Sequence, residues 1–332
     1  MAAHLPLLSA AFAAFAIALY VMLDGFDLGV GALLLIQADE HLRDEMVNSI
    51  VPMWDGNETW LVMAGVTLLA AFPVAYSIVL PAMYLPFIVM LLALGLRGVS
   101  FDFRFQQGSR RRLWDVAFSV GSMTAALMQG LVLGGLIQGV TMTGNHFDGS
   151  VFDTLRLFPF VTATAVLAGY VVLGGGWLHL KAKGMLHGFA ERVLRQVTPA
   201  FAALAIVTCI AATLVQPGIQ RAWAAHFRPL ALIGILFLGA SVALMKSIGG
   251  RSDVRPFALA LILFALELLG LVVVVYPNIV PFRLSLWDAA SSTSTHVFVL
   301  IGAAIVTPVV LAYSAFAYHV FRGKTPEEGW EA

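Results

Sequence analysis

Apolar runs long enough to cross a bilayer recur from one end of this chain to the other, and that recurrence limits its fold more than any other feature. They fall at residues 5–36, 59–78, 79–97, 115–138, 157–180, 198–215, 229–246, 256–277 and 297–320. A helix needs about 20 mostly apolar residues to cross about 30 Å of hydrocarbon. In lipid every backbone N–H and C=O must be paired inside the protein, so runs of this length predict helices. Hydrophobic residues make up 60% of the chain and charged ones 11%, which leaves no stretch for a sizeable soluble domain. The reading is an all-α integral membrane protein of about nine transmembrane helices.

The second and third runs are divided by Pro73, Pro81 and Pro86 and a short polar break at Tyr76-Ser77, and the charge pattern supports the division. Lys and Arg gather after alternate runs, beginning with Arg43, then Arg97, Arg104, Arg110, Arg111 and Arg112, then Lys181, Lys183, Arg192 and Arg195. Lys246, Arg251, Arg255, Arg322 and Lys324 continue the series, whereas the intervening loops hold only Arg156, Arg221, Arg228 and Arg283. Basic loops stay in the cytoplasm, so a periplasmic N-terminus and a cytoplasmic C-terminus are expected in a bacterial inner membrane. The first run has no Lys or Arg before it and continues to Ile36, too long for a signal-peptide core, so it reads as a retained helix. The formal net charge is zero, which gives no basis for attraction to nucleic acid. Cys209 is the only cysteine, which excludes an intramolecular disulfide, a thiolate cluster and a C-x-x-C-H attachment of haem.

The first run carries Asp24 and Asp27, three residues apart and so on one helix face. A charged Asp deep in a spanning helix costs about 2.5 to 3.5 kcal/mol on insertion scales, so the pair requires a protein partner, a water path or a proton. A hydrogen bond to backbone or to an Arg at a helix junction would satisfy either carboxyl as well as proton handling would. Asp55, Asn57 and Glu58 lie in Trp54-Asp-Gly-Asn-Glu-Thr-Trp60 at the mouth of the second run. There Asp55 can cap the helix and Glu58, three residues on, can complete a capping-box-like pair. Glu267 stands near the middle of the eighth run, where a proton relay and a structural hydrogen bond are equally open. Gln129 and Gln138 read as interhelical hydrogen bonds.

The histidines, His4, His41, His146, His179, His187, His226, His296 and His319, fall in loops or at the ends of runs. Bundles that ligate haem usually place such residues on facing walls within the membrane, so no haem is expected to be held by His here. No metal ligand and no catalytic residue is assigned to this chain. The tryptophans Trp54, Trp60, Trp114, Trp177, Trp223 and Trp287 read as interfacial belts. Gly25 with Gly29, Gly130 with Gly134, and Gly135 with Gly139 stand four apart and leave one helix side open to close approach, although ordinary membrane glycines explain any single pair equally.

Asp24-Gly-Phe-Asp-Leu-Gly-Val-Gly31, followed by Asn48-Ser-Ile-Val-Pro-Met-Trp-Asp-Gly-Asn57 and Trp60, resembles the N-terminal signature of subunit II of the cytochrome bd-type quinol oxidases. Arg97 with Phe101-Asp-Phe-Arg104, Trp114-Asp115, Tyr276-Pro-Asn-Ile-Val-Pro281 with Trp287, and Val320-Phe-Arg-Gly-Lys324 extend the resemblance along the whole chain. It implies two four-helix bundles and a peripheral ninth helix, here residues 1–138, 139–277 and 278–332. It also implies a quinol:O2 oxidoreductase whose catalytic haems, b and d or b alone, reside in a partner, subunit I. A hydrophilic path from the cytoplasm is implied along the subunit interface. Asp24 and Asp55 match the motif positions associated with that path, and Asp27, Asn57 and Glu58 adjoin them. A quinone bound in this subunit, without assignable residues, is part of the same expectation, as are membrane lipids, the quinol pool and a small single-helix subunit as partners. Glu58 stands where some members have an uncharged residue, which points to the cyanide-insensitive subgroup. The reading from another class is an ion-coupled secondary transporter, since intramembrane carboxylates on Gly- and Pro-interrupted helices mark such carriers too.

Overall fold

A computed structural model describes residues 4–106 and 111–326; Arg110, counted above among the basic residues, lies outside the described residues. The helices are α1 (Leu5–Leu34), α2 (Glu40–Asn48), α3 (Trp54–Ala71), α4 (Pro73–Ala82), α5 (Tyr84–Gln106) and α6 (Arg111–Gln138). They continue as α7 (Leu157–Lys181), α8 (Gly184–Val215), α9 (Pro217–Ala225), α10 (Phe227–Ser247), α11 (Val254–Val275) and α12 (Thr293–Val320). Two small antiparallel hairpins, β1 (Met142–Thr143) with β2 (His146–Phe147) and β3 (Asn278–Val280) with β4 (Leu284–Ser285), and a short 3-10 helix over Val151–Thr154 complete the described structure. Eight helices, α1, α5, α6, α7, α8, α10, α11 and α12, are long and apolar enough to cross a membrane among the described residues. The 18-residue α3 is about 27 Å long at 1.5 Å per residue and packs against α1, so it has the length to lie alongside these spans.

The division between the second and third spans differs from expectation. Tyr76 and Ser77 lie inside α4, and the breaks fall at Phe72 (φ −134°, ψ 59°) and Met83 (φ −108°, ψ 21°). Pro73 has no N–H and its ring drives Phe72 out of the helical region, while Pro86 sits in the first turn of α5, where its missing N–H costs nothing. A ten-residue helix therefore separates two spans that the sequence reading placed end to end. The sixth span also begins earlier than its apolar run: α8 starts at Gly184. Its first turns carry Glu191, Arg192 and Arg195, which hide a helix from a hydropathy reading.

The α7 helix is central and packs against α1, α6, α8 and α11. Small residues make the approach possible: a Cβ on Gly29 would lie 1.8 Å from the Tyr170 carbonyl oxygen, and one on Gly130 would lie 2.3 Å from Ala163 Cα. Gly139, in contrast, stands beyond the end of α6 with φ +103°, so it serves a turn and not a helix face. Around α7, Phe26 stacks on Trp177 at 4.3 Å and Phe201 on Phe264 at 5.8 Å. Trp60 and Trp177 are buried, at 0% and 2% exposure. They are core residues, not the interfacial belt expected of them, because both face neighbouring helices. The outermost element is α12, in which only His296 and Ala317 are buried.

The two ends of the molecule differ. At one, α4 and the hairpin strands β3 and β4 form an apolar cap around Phe72, Ile78, Val280 and Leu286. At the other, basic end, Asp115 on α6 accepts from Arg43 Nε on α2 and from Arg104 Nε on α5, both at 2.7 Å. Arg43 and Arg104 are buried within helices, although the sequence places them among loop charges.

Candidate functional site: a buried acid cluster

Asp24 and Asp27 lie in the C-terminal half of α1, toward the basic end, and neither has any exposed surface. Being three residues apart they point in neighbouring directions, and each meets a different helix. Arg97, fully buried in α5, donates from Nη1 to Asp24 Oδ1 at 2.6 Å and from Nη2 to Glu58 Oε2 at 2.8 Å. The planar guanidinium thus joins a carboxylate in the interior to one on α3 whose side chain keeps 27% exposure. Asn57, one residue before Glu58, donates from Nδ2 to Asp27 Oδ2 at 2.8 Å and accepts at Oδ1 from the Tyr318 hydroxyl of α12 at 3.1 Å. Two chains of polar groups result: Glu58–Arg97–Asp24, and Tyr318–Asn57–Asp27.

The alternation of the two chains follows from helix geometry. The first turn of α3 presents Asn57 and Glu58 to different neighbours, about 100° apart. Trp54 stacks on Phe101 at 4.9 Å and also lies below the Arg97 guanidinium, 5.9 Å from the ring centre, which fixes the head group. Asp24 Oδ2, Asp27 Oδ1 and Arg97 Nε are buried without a hydrogen-bond partner, so the cluster has capacity for further bonds. A shallow recess lined by Pro52, Met53, Gly56, Asn57, Tyr313 and Tyr318 lies at the α3–α12 end of the second chain. Beside the cluster, Gln129 on α6 donates to the Tyr20 hydroxyl at 2.7 Å and accepts from the Tyr170 hydroxyl at 2.6 Å, the interhelical role read for it.

Of the residues singled out in the sequence, Asp24, Asp27, Asn57 and Glu58 are brought together. Asp55 is not: it is exposed in the first turn of α3. The capping pair also fails, since Met53 is the N-cap without a side-chain bond and the Glu58 carboxylate is drawn to Arg97. Glu267 is only part-buried on α11 and has no hydrogen-bond or ionic partner among the described residues. Two members were missed. Arg97 was counted with the loop charges, although it is the only charged residue between Tyr84 and Phe101, a signal that it serves an intramembrane acid. Tyr318 gave no such signal.

A family model for cytochrome bd terminal oxidase subunit II matches residues 5–321. The chain belongs to this family. Among other subunits of the family, cytochrome bd-I ubiquinol oxidase subunit 2 of Escherichia coli (strain K12) is 28% identical, over 94% of this chain and 93% of its own length. Cytochrome bd ubiquinol oxidase subunit 2 of Bacillus subtilis (strain 168) is 26% identical over 91% of each. A solved structure, bd oxidase from Geobacillus thermodenitrificans, superposes with a TM-score of 0.80 over 96% of this chain and 98% of that one, at 14% identity, and so shows the fold. As a cytochrome bd subunit II, the chain is a multi-pass protein of the bacterial inner membrane and one component of a membrane oxidoreductase that works with subunit I. Haem belongs to the family's chemistry, but His179 and His187 do not fit an axial pair. Their ring centres are 4.2 Å apart, too close to flank a macrocycle.

Proposed function

We propose that this subunit takes up protons at the basic end and passes them through the Asp24, Asp27, Asn57, Glu58 and Arg97 cluster toward subunit I of a bd-type quinol oxidase. The observation that carries the reading is the pair of polar chains sunk into the membrane half nearest the basic end. The overall reaction oxidises two quinols and joins four protons and four electrons to O2 to give two waters. The protons must reach a buried centre. Haems b and d, or b alone, held in subunit I, supply the redox chemistry and the O2 site.

Glu58 keeps partial exposure and accepts protons from water. Asp24 and Asp27 are fully buried behind it, and the free oxygen on each can receive a proton or a bridging water. Three carboxyls surround one guanidinium, so full ionisation leaves two negative charges unmatched in low dielectric, a stoichiometry suited to storing protons. Arg97 keeps the site organised while protons move. Asp55, exposed at the α3 mouth, acts as an outer collecting group.

The basic end faces the cytoplasm in this reading, with the N-terminus periplasmic and the C-terminus cytoplasmic. Residues 1–138 and 139–277 form the two bundles and 278–332 the peripheral segment. Lipids, the quinol pool and a small single-helix subunit complete the surroundings, with a quinone bound against this subunit. Ion-coupled transport finds no support in the family assignment or in the structural match.

The test is quinol-dependent O2 consumption by the assembled oxidase carrying Asp24→Asn together with Asp27→Asn. At unchanged haem content, turnover should fall by about 100-fold, the low end of what positioned proton transfer supplies. Full turnover in that variant removes the proposal.

A further inference from the structure

A second polar cluster lies at the basic end, away from the buried acids. We propose that His179, His187 and Glu191 form a binding site for a zinc-type divalent metal ion. The proposal is independent of the proton path.

The local fold assembles the three side chains. His179 stands in the last turn of α7, and the chain reverses through Lys183 and Gly184, the latter at φ +51°. Glycine tolerates that left-handed conformation, and the sharp turn folds the start of α8 back over the end of α7. His187 and Glu191, four residues apart on α8, share a face, the spacing at which helical ligand pairs converge on one ion. Their donor atoms and that of His179 all lie within 4.8 Å of one another.

The hydrogen bonds fix which nitrogens are free. His187 Nδ1 lies 3.1 Å from the His179 carbonyl oxygen, and His179 Nδ1 lies 3.3 Å from the Asp253 carbonyl oxygen. A carbonyl can only accept, so each Nδ1 carries a proton and Nε2 is the nitrogen left on each ring to face an ion. Metal-bound histidines are commonly held in this way, with the second nitrogen donating to a backbone carbonyl. Both Nε2 atoms lie 3.8 Å from Glu191 Oε1, beyond hydrogen-bond reach. His179 Nε2 is buried and has no hydrogen-bond partner, although its ring is 1% exposed. A buried ring nitrogen without a hydrogen-bond partner, gathered with a second ring nitrogen and a carboxylate, is a donor set suited to a cation.

Two imidazoles and a carboxylate, with water in a fourth position, suit tetrahedral zinc. Bonds of about 2.0 to 2.2 Å place ligands about 3.4 Å apart, so donor atoms that lie within 4.8 Å of one another close on an ion with turns of both the His187 and the Glu191 side chains, each 26% exposed. Two neighbouring cations are engaged elsewhere. Lys324 pairs with Asp253 at 2.7 Å, and Arg195 donates to the Ile248 carbonyl at 3.1 Å. Bound metal would clamp the α7–α8 turn. Through the His179 carbonyl, 3.3 Å from Lys324 Nζ, it would also steady the segment that follows α12.

The experiment uses the intact oxidase complex, stripped with a chelator and titrated with Zn2+ against a chromophoric competitor. One equivalent per chain is expected, with affinity at least tenfold weaker in His187→Ala and in Glu191→Gln. Both positions are part-exposed, and unchanged haem content checks assembly. In the unmodified complex, Zn2+ should also protect His187 from diethyl pyrocarbonate. Absence of stoichiometric binding, no protection of His187, or equal affinity in the His187→Ala/Glu191→Gln double variant overturns the proposal.

Discussion

Replacing Arg97 by Met would leave the buried Asp24 carboxylate and the inner side of Glu58 without a cation. Breaking a buried ion pair by deleting one partner costs about 3 to 5 kcal/mol, so this variant should show a large loss of thermal stability and of assembled complex. Arg97→Lys should lose less yet still fall short of the wild type, because a single ammonium does not span Asp24 and Glu58 as the two terminal nitrogens of the planar guanidinium do. Melting of the detergent-solubilised complex decides the order, and equal stability of Met, Lys and Arg at this position would contradict it. Much of the site was legible at this scale. Two acids in an apolar run require explanation wherever they occur, and Asn57 and Glu58 adjoin a Trp-rich helix start. What could not be read was pairing, since Asp24 and Arg97 are 73 residues apart and no local rule connects them.

Helix spacing rests on a few small residues, and these separate cleanly by what surrounds them. A side chain at Gly29 would drive into the backbone of α7, whereas Gly234 on α10 has nothing within 4 Å of its Cβ position. Gly29→Val should therefore cost about 1 to 3 kcal/mol through overpacking and lower the yield of folded protein, while Gly234→Ala should be neutral. Denaturation of the two variants in parallel tests this, and similar losses in both would reject the close-approach explanation. Spans such as α7 and α10 were legible to within a few residues because length and apolarity alone define them. The α3–α4–α5 region was less so: three prolines signal breaks, but hydropathy cannot tell which of them ends a span and which merely starts a short helix. The buried Trp60 and Trp177 were misread for a related reason, since proximity to a helix end does not reveal which face is covered.

At the scale of the whole molecule, one end is an apolar cap and the other gathers the buried ion pairs, the acid cluster and the segment after α12. That segment is held by Lys324 on Asp253 and by the Thr325 amide on the Lys181 carbonyl at 2.9 Å. The hydrogen bond from Lys324, aided by its charge, holds the Asp253 carboxyl below its ordinary value. A depressed carboxyl contributes above its unfolded pKa of about 4 and loses that contribution as pH falls through the lower folded value. Protection of the Thr325 amide from hydrogen exchange, corrected for intrinsic rate, should therefore weaken below about pH 4, and Asp253→Asn should show the weakened state at neutral pH. The effect should be modest, under about 1 kcal/mol, because the pair is part-exposed. The central claim, that the acid cluster conducts protons from the basic face, is tested most directly by side-resolved proton uptake during O2 reduction in proteoliposomes of uniform orientation. With wild-type enzyme, protons should disappear from the compartment facing the basic end, and Asp24→Asn with Asp27→Asn should slow that uptake in step with turnover. Uptake from the opposite compartment, or an unaltered rate in the double variant, would contradict the account.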